Sequence, residues 1–377
     1  MSTNPRVRAW LDMRAEALRA NCARLRDVVG PGVPMIPMLK ANAYGLGVRE
    51  VVSALEPSDP WAYGVATVEE GLEMRALGVE RPVVVFSPAP RGSIGSAVEA
   101  ELSLSVGDLE TMRLLADTAD RAGRVARVHL EVDTGMGRSG VPWAIGASWL
   151  HEFRTAAGDS VRWVGMYTHL HSAETDPASV RTQLDRFSTW TRALGSEERS
   201  TVLCHTLNSA GILRSPERAG DAVRPGIFLY GGGSAPDLPG PRPVVSLRAR
   251  VVHVRDAGPG STVGYGATHR AEGNERWATL AIGYGDGFPR ALGNSGRALI
   301  QGTPVPIVGR VSMDVTVVNI TGVDGVGVGD VATLIGRDGA AEITLDEVAD
   351  HAGTISYEIL TGFSSRLPRV WEWADGG

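Results

Sequence analysis

The chain carries 37 basic side chains, and its only lysine is Lys40; the others are arginine. A guanidinium keeps its proton at any working pH and offers no amine lone pair. An amine can lose its proton and can form a Schiff base. A sequence that uses arginine wherever positive charge suffices, and lysine once, points to amine chemistry at position 40. Other chemically capable residues stand in short glycine-flanked groups. These are Asp133-Thr134-Gly135-Met136-Gly137-Arg138, the alternating pair His169 and His171, Asn208-Ser209-Ala210-Gly211, and Arg224-Pro225-Gly226-Ile227. The two histidines would share one face of a strand, but no further ligand lies nearby, so no metal site is expected. Cys204 sits inside an apolar run and reads as core, not as a nucleophile.

These groups need elements to position them. Eight short apolar runs recur: Val33–Leu39, Trp61–Val65, Pro82–Phe86, Leu102–Val106, Val125–Val132, Val161–Thr168, Val202–His205 and Val223–Tyr230. Helix-like segments separate them, such as Val68–Leu77, Asp108–Ala122 and Ser179–Leu194. Strands alternating with helices of this length predict parallel βαβ units, and eight of them close into a (β/α)8 barrel. A doubly wound sheet would need a Gly-rich phosphate turn after its first strand; here that strand runs into Leu39-Lys40-Ala41-Asn42. In a barrel, chemistry collects where strands end. Lys40 ends the first strand, the Asp133–Arg138 turn follows the fifth, His169 follows the sixth, Ser209 the seventh, and Arg224 lies in the eighth. Phosphates in this fold commonly sit at the loops after strands seven and eight. A lysine near a phosphate pocket points to pyridoxal phosphate.

Beyond a Pro- and Gly-rich linker at Ala235–Pro243, the texture changes to short β-like runs: Ser246–Val254, Trp277–Ile282, Val305–Val308, Val315–Ile320 and Val331–Ile335. A helix over Thr344–His351 and a strand near Leu367–Trp371 follow. The expected organisation is an α/β barrel over residues 1–240 and a smaller, mostly β domain over 241–377. Net charge is −6, with no electrostatic footprint for nucleic acid or an anionic membrane. No run reaches the length of a membrane helix, and Met1–Leu18 has no signal-peptide core. Two cysteines, Cys22 and Cys204, make no disulfide framework, so a reducing cytoplasm is the expected compartment.

Eight motifs, the lysine motif and seven that follow it, carry a resemblance to the alanine racemase family. They are Leu39-Lys40-Ala41-Asn42-Ala43-Tyr44-Gly45, Asp133 to Arg138, His169, Asn208-Ser209, Arg224-Pro225-Gly226, Gly264-Tyr265-Gly266-Ala267-Thr268, and Gly283 to Gly287 followed by Gly309-Arg310-Val311-Ser312-Met313-Asp314. They stand in the family's order along nearly the whole chain. The resemblance implies a barrel plus a C-terminal β domain in a head-to-tail homodimer with shared active sites, pyridoxal 5'-phosphate as cofactor, and interconversion of L- and D-alanine, with D-alanine used for peptidoglycan. Racemisation of another small amino acid such as serine, decarboxylation on the same scaffold, and cofactor carriage are the alternatives. Arg224 and Tyr265 argue against a decarboxylase, and the C-terminal domain argues against a carrier.

By the same resemblance, Lys40 binds the cofactor covalently and acts as one acid/base. Tyr265, contributed by the partner subunit, is the other. A free tyrosine titrates near pH 10, so Tyr265 needs help; the family links it to a histidine matching His169, which touches an arginine matching Arg224. Arg224 faces the cofactor ring nitrogen and will not give up its proton. Arg138 bonds the cofactor phenolic oxygen and the substrate carboxylate, and the backbone N–H of the partner's Met313 binds that carboxylate too. Tyr44, Asn208, Ser209, Gly226 and Ile227 match cofactor positions, and Tyr284 and Asp286 match the entrance. The chain also departs from the family. Glu131 stands where many members have a carbamylated lysine, and is expected to supply the carboxylate without carbon dioxide. Ser365 stands where many have a tyrosine, Leu46 where a histidine is frequent, and His171 and Glu174 near the entrance differ as well.

Overall fold

The computed structural model describes residues 7–373 except 234 and 236. Pro236 of the expected linker and the first six residues of the segment read for a leader therefore lie outside the described residues. The first layer is a ring of parallel strands. Tyr63–Val65, Val83–Val85, Ser103–Val106, Ala126–Asp133, Val161–Tyr167 and Leu203–His205 pair in sequence order. Parallel bridges from His205 to Ala222, Met35 to Val223 and Met38 to Gly64 close the ring. All eight apolar runs of the first half thus contribute. The first and eighth do so by single bridges, since Pro34, Pro37 and Pro225 interrupt their ladders.

The barrel helices start where a side chain can satisfy their free N–H groups. Thr67 and Glu70 form a reciprocal cap on Val68–Ala76. Asp108 Oδ1 accepts from Thr111 N at 2.7 Å ahead of Leu109–Arg121. Asp176 accepts from Ala178 N at 2.9 Å, with Pro177 at the first position of Pro177–Thr191.

The second layer is a mostly antiparallel sheet built around Val245–Ala257, which pairs with Glu275–Leu280 and Val331–Asp338. A single cut at residue 240 leaves one of its strands in the first segment. Ala9–Arg14 pairs antiparallel with Val245–Ala257 and parallel with Arg369–Glu372. Leu11 and Met13 are buried and Asp12 holds Arg248 at 2.9 Å, so the N-terminal strand belongs with the C-terminal sheet. Among the described residues no helix is long and apolar enough to cross a membrane. Both cysteines are buried and unbonded, and burial pushes the Cys204 thiol up to about 12.

Candidate active site

The stretch after the first barrel strand does not form an ordinary helix. Ala41, Asn42, Ala43 and Tyr44 all have φ between 52° and 55°, a left-handed turn of four residues with a Cβ. Each such residue costs about 1–2 kcal/mol, so other groups must hold the turn. Glu70 does so from the next helix. Its Oε1 accepts from Ala41 N at 2.6 Å while Oε2 accepts from Ala66 N at 2.7 Å. Asn42 Oδ1 accepts from Val48 N at 2.9 Å. Arg369, from the chain's last strand, donates to Gly45 O at 2.8 Å. The turn projects Lys40 into a cavity of about 240 Å³ and buries Tyr44 beneath it. Burial, reinforced by the Arg138 charge and opposed by Glu70, holds the Lys40 ammonium below its usual range. That favours a fraction of free amine.

The cavity brings together Lys40, Tyr44, Arg138, His169, Asn208, Ser209, Arg224 and Gly226, which the sequence places on five different loops. At its lower end Ser209 Oγ accepts from Gly226 N at 2.9 Å and Phe228 N at 3.3 Å. Asn208 caps the short helix through Gly211 N at 2.9 Å. A Cβ on Gly226 would come within 2.5 Å of Tyr44 Oη. Gly226 is therefore required by the close approach of Tyr44. Ile227 is buried next to it.

Arg224 is fully enclosed. Its Nη1 donates to His205 Nδ1 at 2.8 Å and its Nη2 to Thr168 O at 2.7 Å. Its guanidinium carbon lies 5.0 Å from the Tyr167 ring centre and 5.6 Å from that of Phe86, within cation–π range. Desolvation draws its pKa down to about 10, with Tyr167 and Glu131 pulling the other way. The resemblance put His169 against Arg224; the histidine hydrogen-bonded to Arg224 is His205. His169 lines the cavity wall, and burial with the charges of Arg224, Arg138 and Lys40 pushes its pKa down to about 3, so it is neutral.

Glu131 is buried on the fifth barrel strand. Its Oε2 accepts from Ser139 Oγ at 2.7 Å, and burial raises its pKa against the pull of Ser139, Tyr167 and the two arginines. It thus supports the turn carrying Arg138 through Arg138's neighbour and acts on Arg138 by charge. Arg138 itself is exposed.

Several residues in the cavity wall and behind it carry no signal in the sequence. Tyr357, from the C-terminal helix Ser356–Gly362, faces Tyr44 across 6.0 Å and lines the cavity. It supplies an aromatic wall in a chain that has Ser365 eight positions on. Tyr167 and His205 stack in register inside the barrel, and Gln183 ties Thr134 to the backbone of His169 at 3.2 and 3.0 Å. Each sits in a run that reads as ordinary strand or helix.

The remaining candidates gather elsewhere, on the C-terminal domain. Tyr284 N donates to Ser312 O at 3.0 Å and Gly285 N to Met313 O at 2.8 Å. A Cβ on Gly266 would meet the Arg310 guanidinium at 3.2 Å. Three motifs of the sequence thus form one surface, with Tyr265 70% and Met313 52% exposed. None of these residues lines the cavity around Lys40. Asp286, matched to the entrance by resemblance, is fully buried. It accepts from Gly283 N at 3.0 Å and pairs with Arg8 and Arg366, so it fixes the turn that presents Tyr284.

A barrel whose lone lysine enters a cation-rich cavity, joined to a β domain that presents a second set of polar residues, defines an enzyme of amine chemistry. The chain belongs to the alanine racemase family. Residues 13–234 match the model of the alanine racemase N-terminal domain and 244–371 that of the C-terminal domain. An alanine racemase of Synechocystis sp. is 36% identical over 377 residues, covering 97% of this chain and 99% of that one. One of Symbiobacterium thermophilum is 37% identical over 369 residues, 96% of each chain. The solved alanine racemase of Streptomyces coelicolor A3(2) superposes with a TM-score of 0.91 at 33% identity, over 98% of this chain and 99% of that one. That of Bartonella henselae, solved with covalently bound pyridoxal phosphate, gives 0.88 at 28% identity, over 97% and 100%.

Proposed function

We propose that the chain interconverts L- and D-alanine with pyridoxal phosphate as cofactor. The observation that carries this reading is the single lysine of the chain, held by a left-handed turn at the mouth of the cavity that also contains Arg224 and Ser209. The residues fit the group. Lys40, its ammonium held below the usual range, would meet the aldehyde, the end formed by Tyr44, Ser209, Gly226 and Ile227 would take the phosphate, and Arg224, which can only donate, would face the ring nitrogen. When bound, the cofactor supplies an electron-withdrawing ring that stabilises negative charge at the substrate α-carbon.

Inverting that carbon needs a proton acceptor on one face and a donor on the other. Lys40 serves one face, and its depressed pKa suits both duties. Tyr265 serves the other. It is exposed on its own chain and absent from its own cavity, so the second face is completed by a second copy in a homodimer with shared sites. Arg138 and the backbone N–H of Met313 hold the substrate carboxylate from the two sides, and Tyr284 narrows the approach. Glu131 provides the fixed negative charge beside Arg138, so the rate is expected to be independent of bicarbonate. We place the reaction in the cytoplasm, where D-alanine serves peptidoglycan synthesis.

The test is proton exchange in D2O with the cofactor-loaded protein, L-alanine and L-serine run in parallel, following loss of the α-proton and product chirality. Exchange with inversion of alanine supports the reading. Exchange without inversion removes the Tyr265 face, and no exchange on either substrate overturns the reading.

A further inference from the structure

Most barrels fill their interior with branched aliphatic side chains. This one carries a file of polar residues under the cavity: Arg224, His205 and His129, the last two fully buried. His129 Nδ1 lies 2.8 Å from His205 Nε2, and His205 Nδ1 lies 2.8 Å from Arg224 Nη1. His129 Nε2 is buried with no hydrogen-bond partner among the described residues. Room for the second ring is made by Gly165 in the next strand, where a Cβ would stand 2.0 Å from His129 Nδ1.

The donors and acceptors in this file have only one consistent assignment. A guanidinium has no acceptor, so Arg224 donates and His205 Nδ1 accepts. A neutral His205 then carries its proton on Nε2 and donates to His129 Nδ1. A neutral His129 in turn carries its proton on Nε2, which is the atom left without a partner. The Arg224 charge acts on both rings and His129 acts on His205; Tyr167 stacks on His205, and Trp61 edges His129. Glu131 reaches the file only through Arg224.

We infer that His205, oriented by His129, is a positioning residue that fixes the plane of Arg224 with a neutral acceptor and leaves the arginine's charge directed at whatever binds in the cavity. This rests on the reading of the cavity as a cofactor site. A carboxylate behind Arg224 would hold the same geometry but cancel the charge; an imidazole holds it without doing so. The unsatisfied N–H on His129 is the local cost of ending the file without an acid. The file relays no proton into the cavity, because its hydrogen bonds run from Arg224 through His205 to His129.

The first experiment reads the tautomers directly, by imidazole NMR of 15N-histidine-labelled protein with and without cofactor, using H129F and H205N to assign signals. Both rings are expected to stay neutral and protonated at Nε2 from pH 5 to 9. An imidazolium, or a proton on His205 Nδ1, would overturn the assignment. The second compares His205→Leu, His205→Asn and His205→Asp, with thermal melts to confirm folding. His205→Leu is expected to lose about tenfold to a hundredfold in kcat/KM, and His205→Asn, which keeps a neutral oxygen at the δ position, to recover most of that. His205→Asp should bind cofactor but shift its absorption and the pH profile. Aspartate and asparagine variants that behave alike would sink the role of neutrality, and a leucine variant equal to wild type would sink positioning altogether. If the wild type fails to exchange the alanine α-proton, the racemase reading falls while the NMR result still decides the relay.

Discussion

The two ends of the proposed chemistry are built in opposite ways. In the barrel, Arg224 is 3% exposed and is fixed by His205 and the backbone of Thr168 on neighbouring barrel elements. On the C-terminal domain, Tyr265 and Met313 stand on an open surface, ordered by glycine-rich turns packed backbone to backbone. The barrel side is self-sufficient, and the β side is prepared for something outside the chain. Burial therefore marks the half of the proposed site that tunes charge, and exposure marks the half proposed to be completed by a second copy.

Lys40→Ala should break the barrel half completely, leaving no α-proton exchange and no covalently held cofactor by absorbance. Tyr265→Phe should lower kcat/KM by about 10²–10⁴-fold, the ordinary worth of an acid–base group, while cofactor binding stays intact. Mixing the two variants sharpens the contrast. Random reassortment yields heterodimers with one intact site, so about one quarter of wild-type activity should return. No recovery after subunit exchange, verified by native mass spectrometry, would put Lys40 and Tyr265 in one protomer.

A smaller effect separates the two regions by acid. His129 is held down to about 3 and His205 well below its ordinary value, chiefly by burial and by Arg224. Unfolded histidines take up protons near pH 6.5. The unfolded state therefore binds more protons as pH falls. Stability is fullest above about pH 6.5 and is lost below it, by up to about 1.4 kcal/mol per pH unit for each ring. Urea midpoints between pH 8 and 4, at fixed protein concentration, should show this slope, and His129→Phe should flatten it. Smallest is Asn208→Ala. Loss of its cap on Gly211 should destabilise by about 1 kcal/mol, read as a shift in the same midpoint.

Much of this was legible in the sequence. The eight runs that form the ring, the β-rich second half and the groups around Lys40 could be read because strand alternation and rare residue types leave a local trace. The strand Ala9–Arg14 could not be assigned to its sheet, since its partners lie at the far end of the chain. The left-handed turn was hidden because Ala-Asn-Ala-Tyr is unexceptional as a composition; the groups that hold it from outside, Glu70 and Arg369, come from other elements. His129, Tyr167 and His205 give no signal for a related reason. Each lies in a mostly apolar run that reads as an ordinary strand, and its meaning appears only when adjacent strands bring the three side by side.

The pairing of Leu11 with Arg369 bears on how the molecule is made. During synthesis the strand Ala9–Arg14 leaves the ribosome ahead of the barrel, yet its parallel partner follows about 350 residues later. The barrel can assemble while translation continues, because domains generally fold as units from the N-terminus. The second sheet must wait with an open edge until Arg369–Glu372 emerges, and such distant pairings close slowly. Arg369, in that last strand, also anchors Gly45 behind the lysine turn. The nascent protein therefore acquires its full lysine support only when its last strand is in place.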